Sequence, residues 1–388
     1  MSGPRALDLS EKGYTAGQKP GRRMAFTKSI PFSKVTQTER FIMKRLLVIF
    51  LSLALSSPVL ARDSFKICWS IYVGWMPWAY AAEQGIVKKW ADKYDIDIDV
   101  VQINDYIESI NQYTAGKFDA CTMTNMDALT IPAAGGVDST ALIVGDFSNG
   151  NDGIVLKGKK LLKDIKGQHV NLVELSVSHY LLARALESIA LTEADIKVVN
   201  TSDADLVAAY TTNDVTAIST WNPLLGEVMT MPDSYKVFDS AQIPGEIIDL
   251  LVIKTDVLNK NPKLGKALTG AWYEVMSIMN AKNQAAESAR KYMAKASGTD
   301  LKGYEMQLAS TEMFYTPALA LQQTNSKQLK QTMQNVAEFS FKHGLLGEGA
   351  PDASFIGIET PAGTFGNNKN IKLRFNPTYM KLATDGKL

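Results

Sequence analysis

An α/β fold with two doubly wound lobes joined by two crossover strands is the class that this sequence predicts. Short apolar strand patterns alternate with helical patterns, which is typical of a parallel sheet with helices on both faces. Residues 62–388 also exceed the size at which a single hydrophobic core stops growing, roughly 250–300 residues. We therefore expect a discontinuous first lobe at 62–147 and 250–388, with a second lobe inserted at 148–249.

The first lobe is predicted to open with alternating strands and helices. The expected elements are strand 65–69, a helix from Pro77 to Gly85, strand 96–103, helix 105–115 and strand 118–121. Proline is favoured in the first turn of a helix, which supports the helix start at Pro77. Parallel sheets bind ligands beyond the carboxyl ends of their strands, so the loops after Trp69 and Cys121 should face a site.

The second lobe begins after the polar stretch 148–153. Its expected elements are strand 153–157, strand 169–173, helix 178–190, strand 196–199, helix 203–211 and strand 215–219. The chain should return to the first lobe through the apolar segment 247–254. From Pro262 onward the pattern is mostly helical, with helices predicted at 263–282, 285–295, 301–311 and 326–344.

Residues 43–61, MKRLLVIFLSLALSSPVLA, have the pattern of a bacterial export signal. Two basic residues precede an apolar run, and Val59-Leu60-Ala61 offers small residues at a cleavage site. The apolar run is about ten residues, whereas crossing a hydrocarbon core needs roughly twenty. We expect a mature chain that starts near Arg62, lies in the periplasm and does not span the membrane; the alternative is a retained membrane anchor.

Residues 1–42 precede this signal and show no helical or strand periodicity. They are rich in Gly, Lys, Arg, Ser and Thr, a composition typical of disorder. Met43 is therefore the expected true start, and the segment before it is an upstream or disordered one.

Composition argues against several classes of function. The formal net charge is +1 and there is no basic stripe, so nucleic-acid binding is not expected. The three histidines are not at ligand spacing, and Cys68 and Cys121 cannot form a metal site alone, so we expect no metal and no cofactor. Because side chains on paired parallel strands rarely meet disulfide geometry, both cysteines are predicted to be free, buried thiols.

Several motifs together resemble the periplasmic binding proteins of ABC importers. These are strand 65–69 with its aromatic loop, FDACTMTNMD at 118–127, LLKDIKGQHV at 161–170 and VTAISTWNP at 215–223. The resemblance is to the nitrate, sulfonate and taurine branch. It implies a monomeric type II binding protein that closes around a small solute, performs no chemistry and delivers the solute to a membrane permease.

Within that branch, two segments resemble the receptors associated with urea carboxylase. They are IYVGWMPWAY at 71–80 and DFSNGNDG at 146–153. This narrower resemblance implies guanidinium or urea as the ligand.

The candidate site residues include an aromatic set at strand ends. Ser70, Tyr72 and Trp75 lie in the first strand-to-helix loop, and Trp221 directly follows a later strand. Pockets enrich aromatic side chains, although core packing remains the alternative for each tryptophan.

The polar candidates are mostly carboxylates. Asp127 follows the third strand, Asp146 and Asn151 lie in the hinge stretch, Glu174 ends a second-lobe strand and Glu246 enters the returning strand. Helix capping and turn formation are the alternatives for Asp127 and for the hinge residues.

The sign of charge in these stretches predicts the ligand. Asp152 and Asp249 add to the carboxylates, whereas stretches 70–78, 122–127, 145–153 and 174–179 contain no lysine or arginine. Carboxylates and tryptophan faces suit a planar cation such as guanidinium, and would suit neutral urea less strongly.

Two other hypotheses about the function are compatible with the sequence. One is a receptor for a small anion or sulfonate such as nitrate or taurine, which would need cationic groups or helix N-termini at the cleft. The other is an enzyme on the same fold, similar to the thiamine-pyrimidine synthases, although the sequence offers no nucleophile–base pair. We expect a binding protein and not an enzyme.

Overall fold

The predicted alternation of strands and helices is present in residues 62–388, the part of the chain that the computed structural model describes. The expected export signal at 43–61 and the segment 1–42 before it lie outside the described residues. Among the helices that are described, none has the length and apolar character needed to cross a membrane.

The described strands form two sheets. In chain order β1 to β14 are Asp63–Trp69, Ile96–Gln102, Ala120–Thr124, Ser139–Ser148, Asp152–Lys157, His169–Leu172, Lys197–Asn200, Ala217–Trp221, Ser234–Asp239, Ile248–Lys254, Thr311–Met313, Gly357–Thr360, Gly363–Phe365 and Ile371–Phe375. The large sheet has nine strands in the order β13-β12-β14-β4-β10-β3-β1-β2, with β11 also pairing with β4. The small sheet has five strands in the order β7-β6-β8-β5-β9.

Helices pack against both sheets. In chain order α1 to α14 are Met76–Glu83, Ile86–Lys93, Tyr106–Thr114, Asn125–Ala128, Val177–Ser188, Asp203–Thr211, Leu224–Met229, Thr255–Lys260, Pro262–Asn280, Gln284–Ala296, Leu301–Ala309, Pro317–Thr324, Lys327–Lys342 and Thr378–Thr384. We call the large sheet with the helices that pack on it the large half, and the small sheet with its helices the small half.

Two segments carry the chain between the halves. The chain leaves the large sheet at the end of β4 and enters the small sheet at β5, and it returns from β9 to β10. Strands β4 and β10 pair antiparallel and are buried along almost their whole length. Their continuous apolar runs are expected for strands covered on both faces. Both crossings therefore lie side by side at the junction of the halves.

The predicted α/β class is confirmed, with two differences of detail. Strand β1 pairs parallel with β2 and β3, as expected, but β10 is antiparallel to both β3 and β4, so the large sheet is mixed. The sequence also predicted a mostly helical chain after Pro262 and no strand there, whereas β12, β13 and β14 extend the large sheet near the end of the chain. These strands have only three to five residues, too few to show a clear alternating pattern.

The prediction of two free thiols was wrong. Cys68 and Cys121 form a disulfide between β1 and β3, and their Cα atoms are 4.4 Å apart. The two residues are direct register partners in this parallel pair. Their Cα separation lies at the short end of the range of about 4.4–6.8 Å that a disulfide can bridge. The register of the β1–β3 pair thus allows the disulfide, and the sequence alone does not reveal that register.

Candidate functional site

A small cavity lies where the two halves meet at the crossing segments. Its lining is drawn from the large half (Tyr72, Trp75, Tyr106, Thr124), the small half (Val177, Trp221) and the crossings (Asp152, Ile247, Asp249). The space open to the centre of a water-sized sphere is about 10 Å³, which is room for about one water molecule. The halves would therefore have to separate slightly to admit even a ligand of a few atoms, and further for a longer one.

Aromatic rings form a continuous wall across the cavity. The ring centroids of Tyr72 and Trp75 are 4.9 Å apart, those of Trp75 and Tyr106 5.5 Å, and those of Tyr106 and Trp221 5.7 Å. All four side chains are buried. Such ring faces carry negative charge density and attract cations. The wall is therefore suited to a flat cationic ligand.

The loop between β1 and α1 brings Trp75 and Tyr72 against the crossing segments. Pro77 lies in the first turn of α1, as the sequence predicts, and Trp75 immediately precedes the helix. A Cβ atom at Gly74 would lie 2.5 Å from Asp146 Oδ2 and 2.7 Å from Tyr72 Cε1. Only glycine therefore allows the backbone to approach the crossing strand this closely.

Three aspartates form a buried carboxyl cluster beside this wall. Asp146 and Asp249 are register partners on β4 and β10, and Asp152 begins β5. The Tyr72 hydroxyl donates to Asp146 Oδ1 over 3.3 Å. No ion pair involves any of the three within residues 62–388, and Asp146 Oδ2 and Asp249 Oδ2 have no hydrogen-bond partner there. We refer to Asp146, Asp152 and Asp249 as the carboxyl cluster.

Burial changes the acidity of the cluster. It raises the pKa of Asp146 to about 7 and the pKa of Asp152 to about 7. Burial, together with the charge of Asp146, also raises the pKa of Asp249 well above its ordinary value. Like charges in a low-dielectric site cannot all ionise at once. The empty cluster should thus hold protons near neutral pH, which a bound cation would displace.

This protonation predicts a pH-dependent stability. Because the folded-state pKa of Asp152 is raised, its stabilising contribution is complete below the ordinary pKa and is lost as pH rises through about 7. Asp152→Asn should therefore raise the free energy of unfolding of the empty protein at pH 8, by on the order of 1–3 kcal/mol, and change it little at pH 4. Thermal unfolding across this pH range measures the difference in stability between variant and wild type, and a difference that stays constant with pH would contradict a raised pKa of Asp152.

Asp127 is buried next to the cavity wall but does not line the cavity. Its Oδ2 accepts hydrogen bonds from the Tyr106 hydroxyl over 2.5 Å and from the Thr124 hydroxyl over 2.8 Å. The Tyr106 oxygen in turn accepts from the Thr124 backbone N–H over 3.0 Å. Burial raises the pKa of Asp127 to about 6. Asp127 therefore fixes the Tyr106 ring in the wall.

The other sequence-predicted residues divide into three groups. Tyr72, Trp75 and Trp221 line the cavity. Asp146, Ser70 and Asn151 are buried; the Ser70 hydroxyl and both polar side-chain atoms of Asn151 lack a partner among the described residues. Glu174 and Glu246 lie elsewhere.

The prediction that Glu174 and Glu246 are ligand-binding residues requires correction. Glu174 is exposed, because β6 ends at Leu172 and the chain turns outward before α5. Both Glu246 carboxylate oxygens are occupied, by Arg184 Nε at 2.9 Å, Arg184 Nη2 at 3.1 Å and the Tyr180 hydroxyl. An arginine that reaches from the neighbouring helix has thus neutralised a carboxylate that the sequence placed in the cleft.

Sequence reasoning left some of the lining unassigned. Asp152 and Asp249 were recognised as acidic residues of the crossings but were not chosen as site residues. Tyr106 and Thr124 were missed as lining: Tyr106 is the first residue of α3, and its position carries no local signal of a pocket. Among residues 62–388, no cluster of three or more His, Cys, Asp or Glu side chains could hold a metal ion.

Two sheets, two crossings and a cavity between them are the features of the periplasmic binding protein fold. The aliphatic sulphonate binding protein of Escherichia coli superposes with a TM-score of 0.61 at 16% identity, over 74% of this chain and 95% of that one. The nitrate-binding protein of Synechocystis PCC 6803 gives 0.52 at 12% identity, over 84% and 99%. At these identities the likeness shows the fold alone, and it confirms the expected one. A sequence model of the NMT1-like family matches residues 69–294, and the chain belongs to that family.

Similarity to curated proteins covers a shorter stretch. A protein of Brucella abortus (strain 2308) named as a binding protein is 26% identical over 150 residues, 39% of this chain and 45% of that protein. The taurine-binding periplasmic protein of Escherichia coli is 25% identical over 132 residues, 32% and 40% respectively. The matched stretch thus spans less than half the length of these relatives. The desulfurization enzyme DSZB also shares the fold, with a TM-score of 0.51 at 14% identity over 73% and 93%, so fold alone does not separate binding from catalysis.

Proposed function

We propose that this protein is a periplasmic solute receptor of an ABC importer, and that its ligand is guanidinium, held between the two halves. The observation that carries the proposal is the buried carboxyl cluster, which has no protein cation paired with it within the described residues. An isolated buried carboxylate is costly unless it is paired or protonated. A small cation would supply the missing partner.

The lining favours a cation over an anion. Asp152 and Asp249 line the cavity, and the lining contains no lysine, arginine or histidine. An anion would meet these carboxyl groups in a low-dielectric site, where like charges repel strongly. The names of the sulfonate, taurine and nitrate relatives favour an anion instead, so that receptor class is the main alternative.

The unpartnered acceptors favour a ligand with N–H groups. When the cluster is ionised, Asp249 Oδ2 in the lining lacks a donor in the part of the chain that is described, and so do Asp146 Oδ2 and Asn151 Oδ1, which are buried but do not line the cavity. Guanidinium has N–H donors in its plane and flat faces for the tryptophan rings, whereas a quaternary ammonium ion has no donor. Urea has the same shape, and its oxygen could accept from Trp75 Nε1, a buried donor that also lacks a partner. Urea is therefore the second candidate.

The lining also supports binding without chemistry. The cavity wall has no serine, cysteine, lysine or histidine, and its one aliphatic hydroxyl, that of Thr124, is engaged with Asp127, which also holds the Tyr106 ring. We expect the aromatic rings and the carboxyl groups to bind and neutralise a ligand. We therefore propose a monomeric receptor that hands its solute to a membrane permease.

Calorimetric titration of the purified protein at pH 8 tests this function. We expect guanidinium chloride to bind one to one at submillimolar concentrations, and urea to bind more weakly because it lacks the charge. Taurine and nitrate serve as the anionic comparison. Heat from taurine or nitrate alone would overturn the cation assignment and would favour the anion receptor.

A further inference from the structure

A second contact between the two halves lies away from the cavity. His343 follows α13, which packs on β12 and β13 of the large sheet, and Glu193 lies in the turn before β7 of the small sheet. His343 Nε2 is 2.9 Å from Glu193 Oε2. His179, on α5, lies with its Nε2 atom 2.7 Å from the other carboxylate oxygen, Glu193 Oε1. One carboxylate therefore joins a histidine of each half.

The hydrogen-bond partners determine the protonation state of His343. Its Nδ1 lies 2.8 Å from the Phe339 carbonyl oxygen, which can only accept, so Nδ1 must carry a hydrogen. Its Nε2 faces the Glu193 carboxylate, which also accepts, so Nε2 must carry a second one. In this arrangement His343 is an imidazolium ion. The neutral ring would direct a lone pair at either the carbonyl or the carboxylate.

The hydrogen bonds of His179 can be made by a neutral ring, with a hydrogen on Nε2 alone. The Leu175 backbone N–H donates to its Nδ1 over 3.2 Å, so that nitrogen is an acceptor. Its Nε2 then donates to Glu193 as a neutral imidazole. The contact between the halves itself is made by His343, which the geometry requires to carry both protons.

The remaining charges around the contact are either paired or oppose the imidazolium. On α5, Arg184 is paired with Glu246 and Glu187, and beyond the turn Asp195 is paired with Lys166. Lys342 on the helix of His343 itself lowers the pKa of His343. The hydrogen bond to the Glu193 carboxylate outweighs both the burial of the ring, which lowers the pKa more than Lys342 does, and the Lys342 charge, and it raises the pKa of His343 above its usual value. The Phe339 ring stacks on His343 with centroids 4.1 Å apart, a contact that also favours a cation.

We propose that His343 and Glu193 form an acid-stabilised latch, in which protonated His343 holds the large and small halves together and loss of its proton weakens their closure. The contribution is complete below the ordinary pKa of histidine, about 6.5, and is lost as pH rises through the raised value. The latch is independent of what occupies the cavity, so it does not rest on guanidinium being the ligand.

Two measurements on the ligand-free protein test the latch. The first is the NMR titration of the His343 imidazole, in the presence of a chelator so that metal ions do not bind the two histidines. We expect a pKa above 6.5 in the wild type and a lower one in Glu193→Gln. Glu227→Gln, an exposed change on α7 of the small half, is the matched control and should leave the titration unchanged.

The second measurement follows closure itself. Dyes on Asn213→Cys in the small half and Lys263→Cys in the large half, both exposed, report the separation by energy transfer. The native cysteines do not react because they form a disulfide. We expect a more closed population at pH 6 than at pH 8.5 in the wild type, and a clearly smaller pH response in Glu193→Gln, in which only the carboxyl cluster at the cavity still titrates in this range. An unshifted His343 titration, or the same pH response in both proteins, would overturn the latch.

Discussion

Replacing Asp249 by Asn should weaken guanidinium binding by roughly 30-fold or more at pH 8. Asp249 lines the cavity, is buried, and has an Oδ2 atom without a partner in residues 62–388. Removing one partner of a buried charge pair typically costs about 2–5 kcal/mol, and each 1.4 kcal/mol is about a tenfold change in affinity. Asparagine keeps the size of the side chain, so the loss reports the charge.

The same variant should make the empty protein more stable at pH 8. In the absence of a cation, the carboxyl group of Asp249 lies buried beside those of Asp146 and Asp152, and the amide removes that repulsion. The affinity for guanidinium thus falls while the free energy of unfolding of the empty protein rises. A misfolded variant would not show this combination. Calorimetric titration gives the affinity, and thermal unfolding without ligand gives the stability.

Glu174→Gln is the matched control for this experiment. It makes the same change from acid to amide at a residue near the carboxyl end of β6, but its side chain is exposed and does not line the cavity. Its affinity for guanidinium should equal that of the wild type. If Asp249→Asn bound guanidinium as tightly as this control, the carboxyl cluster would not be the binding site.

Removing the disulfide should lower the free energy of unfolding by about 4 kcal/mol. The bond joins residues that are 53 positions apart in the sequence. A cross-link of that span restricts the unfolded chain, and the chain-entropy relation gives about 4 kcal/mol for such a loop. The variant Cys68→Ala/Cys121→Ala should therefore unfold at a clearly lower temperature.

Heat is the suitable denaturant for this comparison, because guanidinium and urea are both candidate ligands. A reductant provides the control: it should lower the unfolding temperature of the wild type towards that of the double variant and leave the variant itself unchanged. A wild-type protein that is insensitive to reductant, also after unfolding and refolding in its presence, would show that the cross-link contributes little.

Part of the candidate site could be predicted because its signals are local. Tyr72, Trp75 and Trp221 follow strand ends directly, and the carboxyl end of a strand is where such folds place a pocket. Glu174 and Glu246 carry the same local signal, yet one is exposed and the other is bound by Arg184. A strand end therefore predicts which loops approach the cavity, but not which side chains in those loops reach it.

The sequence by itself determined the strand and helix patterns, the two crossings and the acidic character of the loops between them. These follow from periodicity and composition, which depend on neighbouring residues. Only the tertiary structure decided that Asp146 lies opposite Asp249, that Cys68 lies opposite Cys121, and that Glu193 joins histidines of both halves. Each of these contacts depends on the register of strands or the packing of helices that are far apart in the chain, and a shift of one residue would separate the partners.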